Sequence, residues 1–258
     1  MFRKFLLKKT RVEEGRFLIE GWHLVDEAVK SGRALHAVVF DPEAKREAAE
    51  DALLKRVSRM AEEVFEASGS QLSALSDTRS SQGVVALVSR VGMDFSELLK
   101  GLPEAGPARL LLLDEVGDPG NCGSMVRAAD WFGLDGVVFG KGCAELENGK
   151  TSRATMGGLF YLPVAVGVDL AAAVSELRRS GVQVFTTELD ESAVSLRDFE
   201  FPERCALVIG NEARGVSAAI SELADGKLFV ERFGSGESLN AAVAAAVFLG
   251  KWRLESGE

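Results

Sequence analysis

Cysteine, histidine and long apolar runs are scarce in this chain, and each scarcity excludes a class of function. Three cysteines (Cys122, Cys143, Cys205) form an odd set with no Cys-x-x-Cys spacing, which argues against a disulfide framework and a zinc site. His23 and His36 are the only histidines, too little material for a histidine-based triad or metal cluster, so no metal is expected. No apolar run reaches the ~20 residues of a membrane span, and the longest, Ala241 to Gly250, is alanine-rich and about half that. The basic start, MFRKFLLKKTR, has neither the apolar core nor the small-residue cleavage site of a signal peptide. A cytoplasmic protein is expected. No Gly-x-Gly-x-x-Gly turn follows the apolar segment RLLLLDEV, which excludes a dinucleotide-binding dehydrogenase of the usual kind.

What is present reads as globular. Of 258 residues, 47% are hydrophobic and 27% charged, enough for one large domain or two ordinary ones. The net charge of −9 is unevenly spread. Residues 1–90 are close to balanced, whereas the remainder carries nearly all of the acidic excess. Five cations and no acid fall within the first eleven residues, so Lys4, Lys8, Lys9 and Arg11 are expected to contact phosphates, with a solubilising terminus as the plain alternative.

Two αβ segments are separated by VGMDFSELLKGLPEAGP, whose two prolines and closing Gly-Pro mark a break. The expected division is a domain over 1–90, a linker over 91–107 and a second domain over 108–258. In the first, RFLIEG, LHAVVF, EVFEAS and GVVALVS read as strands, and Trp22, Leu24, Val25 and Val29 fall at helical spacing. In the second, the runs at 110–116, 136–139 and 205–210 are apolar almost throughout, as parallel strands buried on both faces require. The fold class is α/β.

Three segments of the second half place glycines, amides and charges where strands give way to helices, which is where α/β sheets hold ligands. They are DPGNCGSMVRAADWFG, VIGNEARGVS and ESLNAAVAAAVFLG. In the first, Asn121 is expected to cap the following helix, and Arg127 lies six residues on. In the third, Ser238 is expected to cap the last helix. Taken singly, each segment also fits an ordinary cap or loop.

Together the three resemble, in the same order, the motifs of the SpoU (TrmH-like) RNA ribose 2′-O-methyltransferases of the SPOUT class. Asn121, Gly123 and Arg127 match the first motif, Gly210 and Glu212 the second, and Glu237, Ser238, Leu239 and Asn240 the third. Between them, NGKTSRATMGGLFYLPV matches a further segment at Arg153, Thr155 and Gly157. FLIEGWHLVDEAVKSG and SQGVVAL resemble the start and end of the small substrate-binding domain attached to many such enzymes.

The resemblance implies a C-terminal parallel-sheet domain with a deep trefoil knot, a homodimer, and S-adenosylmethionine as methyl donor. Asn121, Arg127, Glu212, Ser238 and Asn240 become candidates for catalysis. Gly210, Asn211, Glu212, Val230, Arg232, Ser238 and Leu239 become candidates for holding the donor, and Arg153 for RNA. A guanidinium keeps its proton at neutral pH, so Arg127 is read as a donor that orients the hydroxyl or a phosphate, with Glu212, water or a phosphate as proton acceptor. The family usually has Ile-Pro-Met along the adenine pocket where this chain has Val230, Glu231 and Arg232, a departure that bears on donor affinity. Structured RNA is the implied substrate, with ribosomal RNA favoured over tRNA. A non-enzymatic RNA-binding or assembly protein on the same scaffold is the alternative, discriminated by whether the chain binds the donor.

Overall fold

The computed structural model describes residues 2–76 and 81–255. The elements, in chain order, are α1 (Lys8–Glu14), β1 (Arg16–Glu20), α2 (Trp22–Lys30), β2 (Leu35–Phe40), α3 (Ala48–Met60), β3 (Glu63–Glu66), α4 (Gly69–Ser73), β4 (Val84–Ser89) and α5 (Phe95–Gly101). There follow β5 (Ala108–Leu113), α6 (Pro119–Trp131), β6 (Gly136–Gly140), α7 (Gly149–Ala154), β7 (Val164–Val168), α8 (Leu170–Arg179) and β8 (Gln183–Thr187). β9 (Val194–Ser195), β10 (Arg204–Ile209), α9 (Ala218–Ser221), β11 (Gly226–Phe229) and α10 (Ala241–Glu255) complete the chain.

Two compact units result, one of residues 1–91 with 147–161 and the other of 92–146 with 162–258. Two features differ from the sequence expectation. Residues 91–107 contain α5, whose Leu98 is buried in the core of the second unit, so this stretch is more than a linker. Residues 147–161 lie within the apparent second domain along the chain yet group with the first unit. Periodicity along a chain carries no record of which sheet a short helix will cover.

The first unit holds a four-stranded sheet in the order β1-β4-β2-β3, antiparallel except for the β2–β3 pair. Its core gathers Leu18, Ala37, Val39, Val85 and Leu87 from the sheet, Leu72 from α4, and Phe5 from the amino-terminal 3-10 turn Phe2–Leu6. The basic terminus is therefore folded rather than a free arm. Arg11 is buried and its Nη1 donates to the carbonyl of Phe5 at 2.7 Å, which makes it a structural cation and corrects its assignment to phosphate contact. Lys4, Lys8 and Lys9 remain exposed, Lys4 paired with Glu14 and Lys9 with Glu13.

The second unit is built on a seven-stranded sheet in the order β7-β6-β5-β10-β8-β11-β9. Every pairing in it is parallel. All six residues of β5 are buried, as a central strand covered on both faces demands. In one core, Leu110 and Leu112 of β5 gather with Ala173, Val174 and Leu177 of α8. Helices α6 and α10 pack against each other. No helix among the described residues is long and apolar enough to cross a membrane.

Candidate active site

In the second unit, the carboxyl ends of β5 and β10 release two loops, and α10 begins beside them. The first loop runs Asp114 to Asp118 and leads into α6. Asp118 is the N-cap, its side chain accepting from the Asn121 N–H at 2.8 Å, with Pro119 pre-set for the first helical position. Asn121 is thus three residues inside the cap, not the cap itself, and its amide is released for another task.

That task is set by a directed chain of hydrogen bonds. The Asn240 Oδ1 accepts from the backbone N–H groups of Ala242 and Val243, at 2.9 and 3.2 Å, and so caps α10. Ser238, the expected cap, lies outside the helix in an exposed, irregular stretch. With the Asn240 oxygen committed to backbone donors, its Nδ2 must point outward, and it donates to Oδ1 of Asn121 at 2.9 Å. Asn121 is fixed in turn, and its Nδ2 donates to Glu212 Oε1 at 2.8 Å. Three segments that are distant in sequence meet in one network whose polarity is dictated by a helix N-terminus.

The loop that carries Glu212 is closed on itself. Asn211 and Gly215 exchange both backbone hydrogen bonds, at 2.8 and 2.9 Å. The Asn211 side chain fills the turn, accepting from Ala213 and Arg214 and donating to the Glu115 carbonyl at 2.8 Å. The Arg214 side chain also pairs with the Glu115 carboxylate. A Cβ added to Gly210 falls 2.2 Å from backbone atoms of Gly215 and Val216, so only glycine admits the chain's return here. Glu115 itself has φ of 54°, a left-handed conformation that strains any residue but glycine or asparagine. Asp114 accepts from the Ser217 N–H at 2.7 Å and ties the far end of the loop to β5.

Arg127 is exposed on α6, with no hydrogen bond or ion pair among the described residues. Arg127 makes no pair with Glu212, whose Oε1 is engaged by Asn121 instead. Val230 is half-buried, whereas Arg232, Ser238 and Leu239 are exposed along 231–240, a stretch whose peptide N–H groups make no backbone bond among the described residues up to Leu239. Glu231 is turned to Arg197, 2.6 Å away, and Arg232 to the Gly236 carbonyl at 3.4 Å. The two charges that replace Pro and Met are therefore engaged with protein groups.

Arg153 belongs to the first unit, where its Nη1 lies 3.2 Å from Oε2 of the buried Glu20. The cysteines take no part in the network. Cys122 is buried, its Sγ donates to the Val116 carbonyl, and burial pushes the thiol up to about 12.

Residues 108–250 match the SpoU rRNA Methylase family and residues 1–86 the MRM3-like substrate binding domain. The chain belongs to the SpoU family. A relative from Bacillus subtilis, named 23S rRNA (guanosine(2553)-2′-O)-methyltransferase RlmP, is 37% identical over 96% of this chain and 92% of its own length. Among solved structures, AviRb from Streptomyces viridochromogenes, in complex with AdoMet, superposes with a TM-score of 0.86 at 26% identity, covering 100% of this chain and 97% of that one. An AdoMet-bound rRNA methyltransferase from Sinorhizobium meliloti gives 0.82 at 27% identity, covering 98% and 93%. The likeness spans both units, which the three motifs alone do not.

Proposed function

We propose that this SpoU-family chain transfers a methyl group from S-adenosylmethionine to a ribose 2′-hydroxyl of ribosomal RNA. The observation that carries the reading is the Asn240–Asn121–Glu212 chain, which brings the three family motifs to one carboxylate at the open end of a parallel sheet. Family membership supports the donor, and the full-length likeness to RlmP supports 23S rRNA over tRNA. Ribosomal RNA as substrate implies the cytoplasm.

The residues fit such a donor. Gly210 and Asn211 shape the loop at the strand end, while Val230 to Leu239 offer peptide groups and apolar side chains suited to a flat base. When bound, S-adenosylmethionine supplies the electrophilic methyl carbon on a sulfonium. The chain's part is to hold the hydroxyl in line and accept its proton. Asn121 holds Oε1 of Glu212 and leaves Oε2 to accept the proton of a ribose hydroxyl held in line with the donor. Arg127, a planar donor fork, orients the ribose or its phosphate. Asn240 sets the start of α10, and Ser238, exposed in the stretch before it, is left to contact the donor. Lys4, Lys8 and Lys9 serve as phosphate contacts of the substrate unit.

Further expectations of the family accompany this reading. A homodimer is supported by an apolar row on α10, Val243, Val247 and Leu254, with Trp131 83% exposed on the adjoining α6. Light scattering should give twice the chain mass, and Trp131→Glu should reduce it to one. Arg153 contributes to RNA binding from α7. A trefoil knot is supported by the strand order, since the chain leaves β11 beyond β8 and returns past β10 to lay α10 on α6. A crystallographic trace that pulls out straight from its ends would contradict it.

Calorimetry with S-adenosylmethionine, followed by transfer of labelled methyl to 23S rRNA, tests the reading. Donor binding and 2′-O-methyl product are expected. A chain that binds RNA but no donor would be an assembly protein instead.

A further inference from the structure

Arg197 stands outside the motifs, yet it is fixed at both backbone ends and engages the loop that precedes Asn240. It lies two residues beyond the edge strand β9, whose Ser195 pairs with Phe229 of β11, and the intervening Leu196 N–H donates to the Phe229 carbonyl at 2.7 Å. The Arg197 N–H donates to Ser195 Oγ at 3.2 Å, and its carbonyl accepts from Lys251 Nζ of α10 at 3.0 Å. From this anchored position the guanidinium makes two contacts. Its Nη2 lies 2.6 Å from Glu231 Oε2, and its Cζ sits 5.7 Å from the centroid of the Phe233 ring. Phe233 is otherwise 84% exposed, an unusual state for a phenylalanine beside a ligand-binding stretch.

A proline at 231 would fix φ and stiffen this segment through the backbone. Glutamate has no such effect by itself. The Arg197 contacts supply a restraint from outside, gripping positions 231 and 233 at once and referring them to both β11 and α10. We propose that Arg197 is a positioning residue for the donor-binding loop, acting through Glu231 and Phe233. The inference rests on the reading that residues 230–239 border the methyl donor. It explains why two charges at 231 and 232 are compatible with that role: they turn to protein groups rather than into the space for the base.

Because the pair is partly solvated, the restraint is worth a modest amount of affinity. Arg197→Ala and Glu231→Gln should each raise the calorimetric Kd for S-adenosylmethionine about three- to tenfold, and the double variant should be no worse than either single one. The kcat at saturating donor should stay within about twofold, so the loss falls on KM, whereas a general structural defect would lower both. Raising salt should weaken wild-type binding towards that of the variants, by screening the exposed pair. Arg197→Lys should restore only part of the affinity, since a point charge keeps the ion pair but stacks poorly on the ring. If wild type binds the donor and both variants bind it equally well, Arg197 has no positioning role. If wild type binds no donor at all, the reading of the site falls, and this proposal with it.

Discussion

Asn240 donates its side-chain hydrogen to the Asn121 carbonyl oxygen across 2.9 Å, joining residues 119 positions apart, and the direction of that bond is fixed by α10. Reversing it is a sharp test of the network. In Asn240→Asp one carboxylate oxygen still caps α10, and its charge favours the helix N-terminus, so stability should stay within about 0.5 kcal/mol of wild type. The other oxygen, however, faces an acceptor. Asn121 must flip and turn its own oxygen towards Glu212. Thermal melting should therefore be unchanged while kcat falls about a hundredfold.

Glu212→Gln separates the scaffold from the chemistry. A glutamine Oε1 still accepts from Asn121, so the loop should keep its form and donor affinity should stay within about threefold. Loss of the proton acceptor should lower kcat by about two to four orders of magnitude. Equal loss of donor binding and turnover would move Glu212 from catalysis to donor recognition.

Arg127 has no structural partner among the described residues, so its replacement should spare the fold. Arg127→Ala is expected to abolish methyl transfer with donor Kd within a few-fold. Arg127→Lys should not rescue, because an ammonium cannot reproduce a planar fork.

Gly210→Ala places a methyl 2.2 Å from backbone atoms that cannot move aside without opening the 211–215 turn. A destabilisation of about 3 kcal/mol or more, or failure to express in soluble form, is expected. A chemical melt within about 1 kcal/mol of wild type would contradict the close approach.

The division of the basic terminus makes a paired prediction. Replacing the exposed Lys8 and Lys9 by alanine should flatten the salt dependence of RNA binding without altering the melt. Arg11→Ala should do the reverse, removing a buried cation and its bond to the Phe5 carbonyl. Charge counting grouped these residues together. Only the packing of Phe5 into the first sheet separates them, and that is a tertiary fact.

The same distinction runs through the whole chain. The central strands were legible because parallel strands buried on both faces must be apolar throughout, as β5 is. The site residues Asn121, Glu212 and Asn240 were legible as motif positions, but their connection was not. Caps compete locally: Asp118 ahead of Pro119 displaces Asn121, and Asn240 displaces Ser238. The affiliation of 147–161 depends on Glu20 and Glu27 of the first unit, which meet Arg153 and Tyr161 well over a hundred residues away. Removing residues 1–90 strips that segment of its packing, so point variants are the cleaner probe of substrate recognition.

The central claim is ribose methylation of ribosomal RNA, and nucleotide-resolution mapping of 2′-O-methyl groups in 23S rRNA tests it most directly. In a strain lacking this protein, one ribose should be unmethylated, restored by the wild-type chain and not by Arg127→Ala or Glu212→Gln. A 23S rRNA methylation pattern identical with and without the protein would contradict the account.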